Sequence, residues 1–184
     1  MKQATMGLTL SLLAVTGCAL AAKDKDKGFE PMEPSKTAEV VMSNDEKDFF
    51  ETAASANMFE VAAGKLAQTM GGSETVKEYG TRMVADHTKA TAELKDLAEK
   101  KGVQLPTAML TRHQKMYNHL KKQKAGKDFD GAFHTAMLVS HKEAVSLFDK
   151  AARKSKDDDV KEFAAKVLPT LQEHGGMAKD LAHK

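Results

Sequence analysis

Each of four predicted helices carries one ionisable residue on its otherwise apolar face. The four are Glu60, His87, His141 and His174, and each is flanked by apolar or small residues three or four positions away, which is the spacing of one helical face. One carboxylate and three imidazoles are ligands that suit zinc, iron or copper. The pattern therefore predicts a site for one transition-metal ion and leaves the choice among these three metals open.

The four residues are also predicted to lie at one height. Measured from the predicted helix starts, they lie roughly 13 to 16 residues into their helices, and one residue of offset moves a side chain only about 1.5 Å along the axis. Side chains near the midpoints of four helices of similar length meet at one level of a bundle. We therefore expect the carboxyl and the three imidazoles to converge.

A metal-free interpretation of the same residues stays open. Burial of Glu60 without a partner would be unfavourable, and a protonated histidine could be that partner in place of a metal ion. The four groups would then form a hydrogen-bonded polar cluster in the core of a non-catalytic module for envelope interaction or stress.

The remaining histidines are weaker candidates. His134 lies seven residues before His141, about 10 Å along a helix axis, and is expected to support the site from outside it. His113, His119 and His183 are expected to be solvated at the surface. The methionines are scattered along the helices and are expected to fill gaps in the core.

The helical periodicity runs from Asn44 to Leu181 and predicts an all-α fold. The long helices are predicted at 45–70, 73–101, 128–154 and 157–181, with a shorter helix starting near Leu105–Thr107. Gly71–Gly72 is expected to end the first helix in the left-handed conformation. Roughly 25 residues connect the second and third long helices, enough to return along a bundle. This predicts a ferritin-like four-helix bundle with an extra helix in the crossover; simple up-down-up-down topology is the alternative.

The composition excludes several classes of function. The chain of 184 residues has 28 basic and 26 acidic side chains, which are interleaved, and only 5% aromatic residues with no Trp, so we expect no nucleic-acid partner. The sequence also has no constellation typical of nucleophilic catalysis, no phosphate loop and no carboxylate dyad. A binding function is therefore favoured over an enzymatic one, and the protein partner is open.

The N-terminus is typical of an exported protein. Residues 1–18 predict a signal peptide whose Val15–Cys18 segment resembles a bacterial lipobox, so Cys18, the only cysteine, is expected to be lipidated. Ordinary cleavage after Ala19–Ala21 is the alternative. Residues 19–43 predict a disordered tether, followed by the helical domain at 44–184. We expect a periplasmic protein held at the outer membrane by its lipid anchor.

Three segments resemble one known family. They are MVADHTKATAELKDLAEKKGVQLPT, FHTAMLVSHKEAVSLFDKAA and FAAKVLPTLQEH, and over about residues 45–181 the chain resembles the bacterial domain of unknown function 4142 family, whose members carry the label of predicted outer membrane proteins. The resemblance implies an exported, ferritin-like four-helix domain. The matching positions are Glu60, His87, His141, Pro169 and His174, whereas His134 and Gly175–Gly176 depart from the pattern.

The sequence argues against a di-iron enzyme of the ferritin type. Such proteins use Glu-x-x-His pairs and further carboxylates, but Val84 and Leu171 stand three residues before His87 and His174. This leaves a site for a single ion and argues against ferroxidase or oxygenase chemistry.

Overall fold

Five α-helices follow one another in the computed structural model, which describes residues 43–181, within the larger of two units of the chain, Glu39–Lys184. They are α1 (Asn44–Met70), α2 (Glu74–Lys100), α3 (Thr111–Lys121), α4 (Lys127–Lys154) and α5 (Asp158–Asp180). The predicted all-α class is confirmed. The predicted signal peptide with Cys18, residues 19–42 of the predicted tether, and His183 lie outside the described residues. None of the described helices is long and apolar enough to cross a membrane.

Side-chain caps set where three of the four long helices, α1, α2 and α5, begin. At the start of α1, Ser43 Oγ accepts from the Glu46 backbone N–H at 3.3 Å while the Glu46 carboxylate accepts from the Ser43 N–H at 3.0 Å, which is a capping box. At the start of α2, Ser73 Oγ accepts from the Val76 N–H, and at the start of α5 the Asp157 carboxylate accepts from the Asp159 and Val160 N–H groups. These residues satisfy N–H groups that have no partner within the helix.

The short helix α3 begins later than the sequence predicted, at Thr111. The backbone N–H of Leu110 donates to Ser55 Oγ on α1 at 2.7 Å, so the residue before the helix is fixed by a tertiary contact. Such a contact is not visible in local periodicity.

The expectation of a left-handed end to α1 at Gly71–Gly72 was wrong. Gly71 has φ −59° and ψ 134°, and the left-handed glycines of the described chain are Gly102 and Gly126. Glycine is needed at position 72 for space, because a Cβ there would lie 2.7 Å from Gly126 Cα.

The connectivity is ferritin-like, as predicted. α1 and α2 form an antiparallel hairpin, and α4 also runs opposite to α1, since Phe49 near the start of α1 faces Phe148 near the end of α4 with ring centroids 5.1 Å apart. α2 and α4 are therefore parallel, and α3 lies in the crossover between them. α5 runs opposite to α2, with Lys101 Nζ 2.6 Å from the Asp157 carboxylate.

Two close contacts fix the axial register of these helices. A Cβ on Gly64 of α1 would lie 2.6 Å from the backbone oxygen of Gly80 on α2, so the hairpin packs backbone to backbone there. The Asp130 carboxylate of α4 accepts from Gly72 N–H at 2.8 Å and Ser73 N–H at 3.0 Å. We call this second contact the Asp130 clamp; it ties the start of α4 to the α1–α2 turn.

The core consists of two apolar clusters, one toward each end of the bundle. Along α4, Phe148 belongs to one cluster and Met137 to the other, and along α2 the same holds for Leu94 and Met83. Between them lie four buried ionisable residues, which we call the polar layer: Glu60, His87, His141 and His174. The fold therefore carries these residues to the middle of the bundle.

Candidate metal centre

Three of the four predicted residues come together at the centre of the polar layer. His87 from α2, His141 from α4 and His174 from α5 have ring centroids 5.4–5.8 Å apart, and we call them the triad. One ring nitrogen from each lies within 4.8 Å of the others. Their exposed fractions are only 3%, 1% and 1%, so the triad is shielded from water.

Each triad ring is held by one hydrogen bond on its outer side. His87 Nδ1 is 2.9 Å from Asn57 Oδ1, His141 Nδ1 is 2.9 Å from the Met137 backbone oxygen, and His174 Nε2 is 2.8 Å from Asp86 Oδ2. All three partners are oxygen acceptors, so each ring must donate its N–H outward. This assigns the tautomer of every ring.

The other nitrogen of each ring is left with a lone pair. No described residue hydrogen-bonds to His87 Nε2, His141 Nε2 or His174 Nδ1, and we call these three atoms the inner nitrogens. Buried polar atoms are normally paired, with protein groups, water or an ion, so three such atoms in one cluster offer a shared place for such a partner. A histidine that binds a metal ion donates its second nitrogen to an oxygen in the same manner.

The electrostatics favour the neutral imidazole at His87 and at His174. Burial lowers the pKa of His87 well below its usual value, and the neighbouring His141 and His174 lower it further. Burial also lowers the pKa of His174, although the hydrogen bond to Asp86 opposes the change. Neutral imidazole is the form that binds a metal ion.

Glu60 lies beside the triad and does not belong to the nitrogen cluster. Its Oε1 is 3.8 Å from His141 Nδ1, the nitrogen that donates outward, and its side chain is only 2% exposed. No described residue hydrogen-bonds to either of its oxygens. Burial raises the pKa of Glu60, against the opposing effects of His141 and of the Ser140 hydroxyl, which lies near the carboxyl without a hydrogen bond of normal geometry. The structure thus brings together three predicted ligands and places the fourth at their edge.

Sequence reasoning missed the residues that support the triad. Asn57 and Asp86 orient two rings, and Tyr79 donates its hydroxyl to the His174 backbone oxygen at 3.1 Å with its ring centroid 6.4 Å from that of His141. Burial and the nearby Glu60 raise the pKa of Tyr79. Only Asp86 had a signal, because it stands directly before His87 in the motif DHTKA.

The expectation for His113 was wrong, since this ring is 1% exposed. Its Nδ1 is 2.6 Å from Ser55 Oγ, and it stacks on Phe59 at 6.0 Å. The cause is Ser55 of α1, whose hydroxyl contacts both the Leu110 N–H and His113 Nδ1 at the start of α3. His119 is exposed as expected, and His134 is half-buried outside the triad.

Helix α5 continues without interruption through Pro169 and Gly175–Gly176 to Asp180. A Cβ on Gly175 would be 3.6 Å from His141 Cβ, an ordinary contact. The two glycines therefore neither fray the helix nor are required by close packing against the triad.

Comparison with known proteins places the fold. It is similar to the solved structure of "CopM in the Cu(II)-bound form", with a TM-score of 0.62 and 14% sequence identity over 73% of this chain and 93% of that chain. At this identity the likeness concerns the fold alone. No curated protein matches the chain. The model of a domain of unknown function, DUF4142, matches residues 31–181, and the chain therefore belongs to the DUF4142 family.

Proposed function

We propose that this protein binds one transition-metal ion, with copper as the preferred metal, through the three inner nitrogens of the triad. The single observation that carries the proposal is that, in each ring, one nitrogen is hydrogen-bonded and the other is not. Each ring uses one nitrogen to donate to an oxygen and keeps the other, with its lone pair, buried and without a partner among the described residues, and one nitrogen of each ring lies within 4.8 Å of the others. Three fixed imidazole ligands with no thiolate suit copper, zinc or iron.

Copper is placed first for two reasons. Among divalent first-row metals, nitrogen sites bind Cu²⁺ most tightly. The similar fold of CopM was solved in a Cu(II)-bound form, which is a property of that protein and a motive for testing copper here.

Glu60 supplies the charge that the triad lacks. A divalent ion among three neutral imidazoles would be a buried charge. The carboxylate hydrogen-bonded to the triad, Asp86, contacts only the outer nitrogen of His174, and a poorly compensated buried charge is unfavourable. Glu60 is the buried carboxyl in contact with the triad. We infer that it compensates the ion from the edge of the site, or becomes the fourth ligand by a rotation of its side chain.

The test is equilibrium metal binding by the purified domain. We expect one copper ion per chain, measured by elemental analysis and titration, with zinc bound more weakly. His87→Leu and His174→Leu should each abolish stoichiometric binding. His113→Leu is the matched control, because His113 is equally buried but belongs to the Ser55 contact, and this variant should bind copper normally.

The metal-free alternative predicts a different outcome. A wild-type protein that binds no ion above the level of the His87→Leu variant would contradict the metal proposal. The polar layer would then serve only the packing of an interaction module.

We further propose that the protein works in the cell envelope, attached to the membrane through a lipid on Cys18. The lipobox-like segment at Val15–Cys18 supports this proposal. Cys18→Ser should release the protein from the membrane fraction into the soluble periplasmic fraction. Unchanged membrane retention of the variant would contradict lipidation.

A further inference from the structure

A chain of polar contacts connects the triad to the surface between α2 and α5. His174 Nε2 is 2.8 Å from Asp86 Oδ2, which is 3.3 Å from Arg82 Nε. Arg82 Nη2 is in turn 2.7 Å from Glu173 Oε1. Side-chain exposure rises along this chain from 1% at His174 to 35%, 39% and 55% at Asp86, Arg82 and Glu173. Because Asp86 contacts His174 directly and is itself partly exposed, a single side chain separates the triad from water here.

The other two rings have no connection to the surface through charged side chains of the described residues. His87 bonds to Asn57, which is 6% exposed, and His141 bonds to the backbone oxygen of Met137, which is fully buried. Asn57 does border a separate groove, but the one charged side chain among its lining residues is Lys65, which repels a cation.

The cavity over the α2–α5 contact has more acidic than basic lining residues. A cavity of about 310 Å³ opens there, with Glu78 and Asp180 among its lining residues, and Glu173 lies exposed beside it. Carboxylates around a cleft raise the local concentration of cations. Arg82 forms part of the cavity wall and stands between this cleft and Asp86.

We propose that metal ions reach and leave the triad through this side of the bundle, and that the guanidinium of Arg82 is the barrier they must displace. The proposal rests on the metal-binding function proposed above and adds its route and its control. Arg82 occupies the space between two carboxylates, Asp86 and Glu173, as a bound cation would. An incoming metal ion can replace it there without creating an unpaired charge, since one cation is exchanged for another.

The side chain of Arg82 can move without disturbing the core. Its partners are Asp86, Glu173 and the sulfur of Met177, 3.3 Å from Nη1, and none of them belongs to the fully buried core. Exposed ion pairs contribute little to stability. Because Arg82 touches none of the inner nitrogens, its removal should change rates of exchange far more than the equilibrium affinity.

Asp86 has a different part, as a positioning residue. It accepts the outer N–H of His174 and so keeps the lone pair of that ring on the inner nitrogen. Loss of such a partner usually lowers metal affinity 10- to 100-fold. The same residue thus orients a ligand and anchors the barrier.

The experiment compares copper exchange rates in matched variants of the full domain. Association is followed by stopped-flow quenching of tyrosine emission with Cu(II), and dissociation by transfer to EDTA. Arg82→Gln should raise both rates tenfold or more and leave the affinity within threefold of wild type. Arg82→Lys should restore most of the barrier. Arg112→Gln, which removes another exposed arginine with one carboxylate partner at 3.8 Å, should change neither rate.

Asp86→Asn tests the positioning part. It should lower the Cu(II) affinity 10- to 100-fold and alter the electron paramagnetic resonance spectrum of the bound ion. Glu93→Gln is its control, because Glu93 pairs with Lys166 across the same two helices at 3.0 Å but has no contact with the triad. The control should keep both the affinity and the spectrum.

The outcomes separate the two proposals. Stoichiometric copper binding with rates within twofold of wild type in Arg82→Gln overturns the route and leaves the metal site intact. Faster exchange in Lys65→Gln with no change in Arg82→Gln assigns the route to the groove at Asn57 and also overturns it. A wild type that binds no copper overturns the function itself.

Discussion

The buried histidines of the described chain, His113 on one side and the triad on the other, differ in their hydrogen bonding. His113 is fully partnered on the side facing α1: the Ser55 hydroxyl accepts from the Leu110 N–H and can donate to His113 Nδ1. The triad rings are equally buried, yet each keeps a nitrogen that no described residue satisfies. His113 holds the crossover helix α3 to the bundle, whereas the triad leaves three unsatisfied nitrogens at the centre of the core.

The difference teaches how stability and function are divided. A satisfied buried polar group contributes modestly to stability, and an unsatisfied one destabilises by about 1–3 kcal/mol. Several unsatisfied groups in one place therefore lower the stability of the metal-free fold, and such local conflicts are expected at functional sites. Exposure does not distinguish the two groups, whereas their hydrogen-bond partners do.

The largest effects are expected when one histidine of each kind is replaced by leucine. His141→Leu should lower copper affinity more than 100-fold and leave the metal-free protein as stable as wild type or more stable, because an unsatisfied nitrogen is replaced by a group that needs no partner. His113→Leu should keep copper affinity and reduce the unfolding free energy by about 1–3 kcal/mol. Titration and urea denaturation without metal measure the two quantities. A loss of stability of similar size in both variants would contradict the distinction.

Acidification should weaken the metal-free fold through His113. Burial lowers the pKa of His113 to about 4, with a smaller contribution from Arg112. Above pH 6.5 the ring is neutral in both states. Between about 6.5 and 4 only the unfolded chain takes up the proton, so stability falls through this window, by on the order of 3 kcal/mol. Below about 4 the loss levels off.

The lowered pKa values of His87 and His174 act in the same direction, so the contribution of His113 must be isolated. The stability difference between wild type and His113→Leu should shrink as the pH falls from 7 to 4, measured by urea denaturation in EDTA. A difference that does not change with pH would argue that His113 is not held neutral.

Glu60 extends the comparison to a buried carboxyl group. Glu60→Met replaces a buried group of raised pKa by an apolar side chain of similar length, and the metal-free protein should gain about 1–3 kcal/mol of unfolding free energy at pH 7. Copper affinity should fall at the same time, since the compensating charge is lost. Glu51→Met on the exposed face of α1 is the control and should change neither. A destabilised Glu60→Met variant would show that the carboxyl is paired in solution.

The smallest effect is expected from Asn57, which orients His87 without touching the ion. Asn57→Leu removes the outer acceptor of that ring and should lower copper affinity about tenfold, which corresponds to about 1.4 kcal/mol. Isothermal titration measures the change. An unchanged affinity would mean that the His87 ring is oriented by packing alone.

The sequence predicted the fold and the placement of the triad because both follow from periodicity. Steps of three and four residues identify the inner face of a helix, and loop lengths identify its neighbours, so the connectivity and the height of His87 and His141 could be inferred. The hydrogen-bond partner of His87 and the burial of His113 could not be inferred, because the contacts of Asn57 and His113 depend on how α1 packs against other elements. The same limit explains Glu60, whose face was predicted but whose distance from the inner nitrogens depends on how far α1 stands from the ring of His141.

The Asp130 clamp bears on how such a chain can change over evolutionary time. His141 comes 11 residues after Asp130 and His87 comes 14 after Ser73, so both imidazoles are spaced from one shared anchor, at about 16 and 21 Å along their axes. Removal of a single residue from 74–86 or 131–140 would rotate the ligand by about 100° and shift it about 1.5 Å, even with the anchor intact. Relatives that keep this centre should therefore have few insertions or deletions in 74–86 and 131–140. Their differences in length should lie in 103–110, which is outside both spacings.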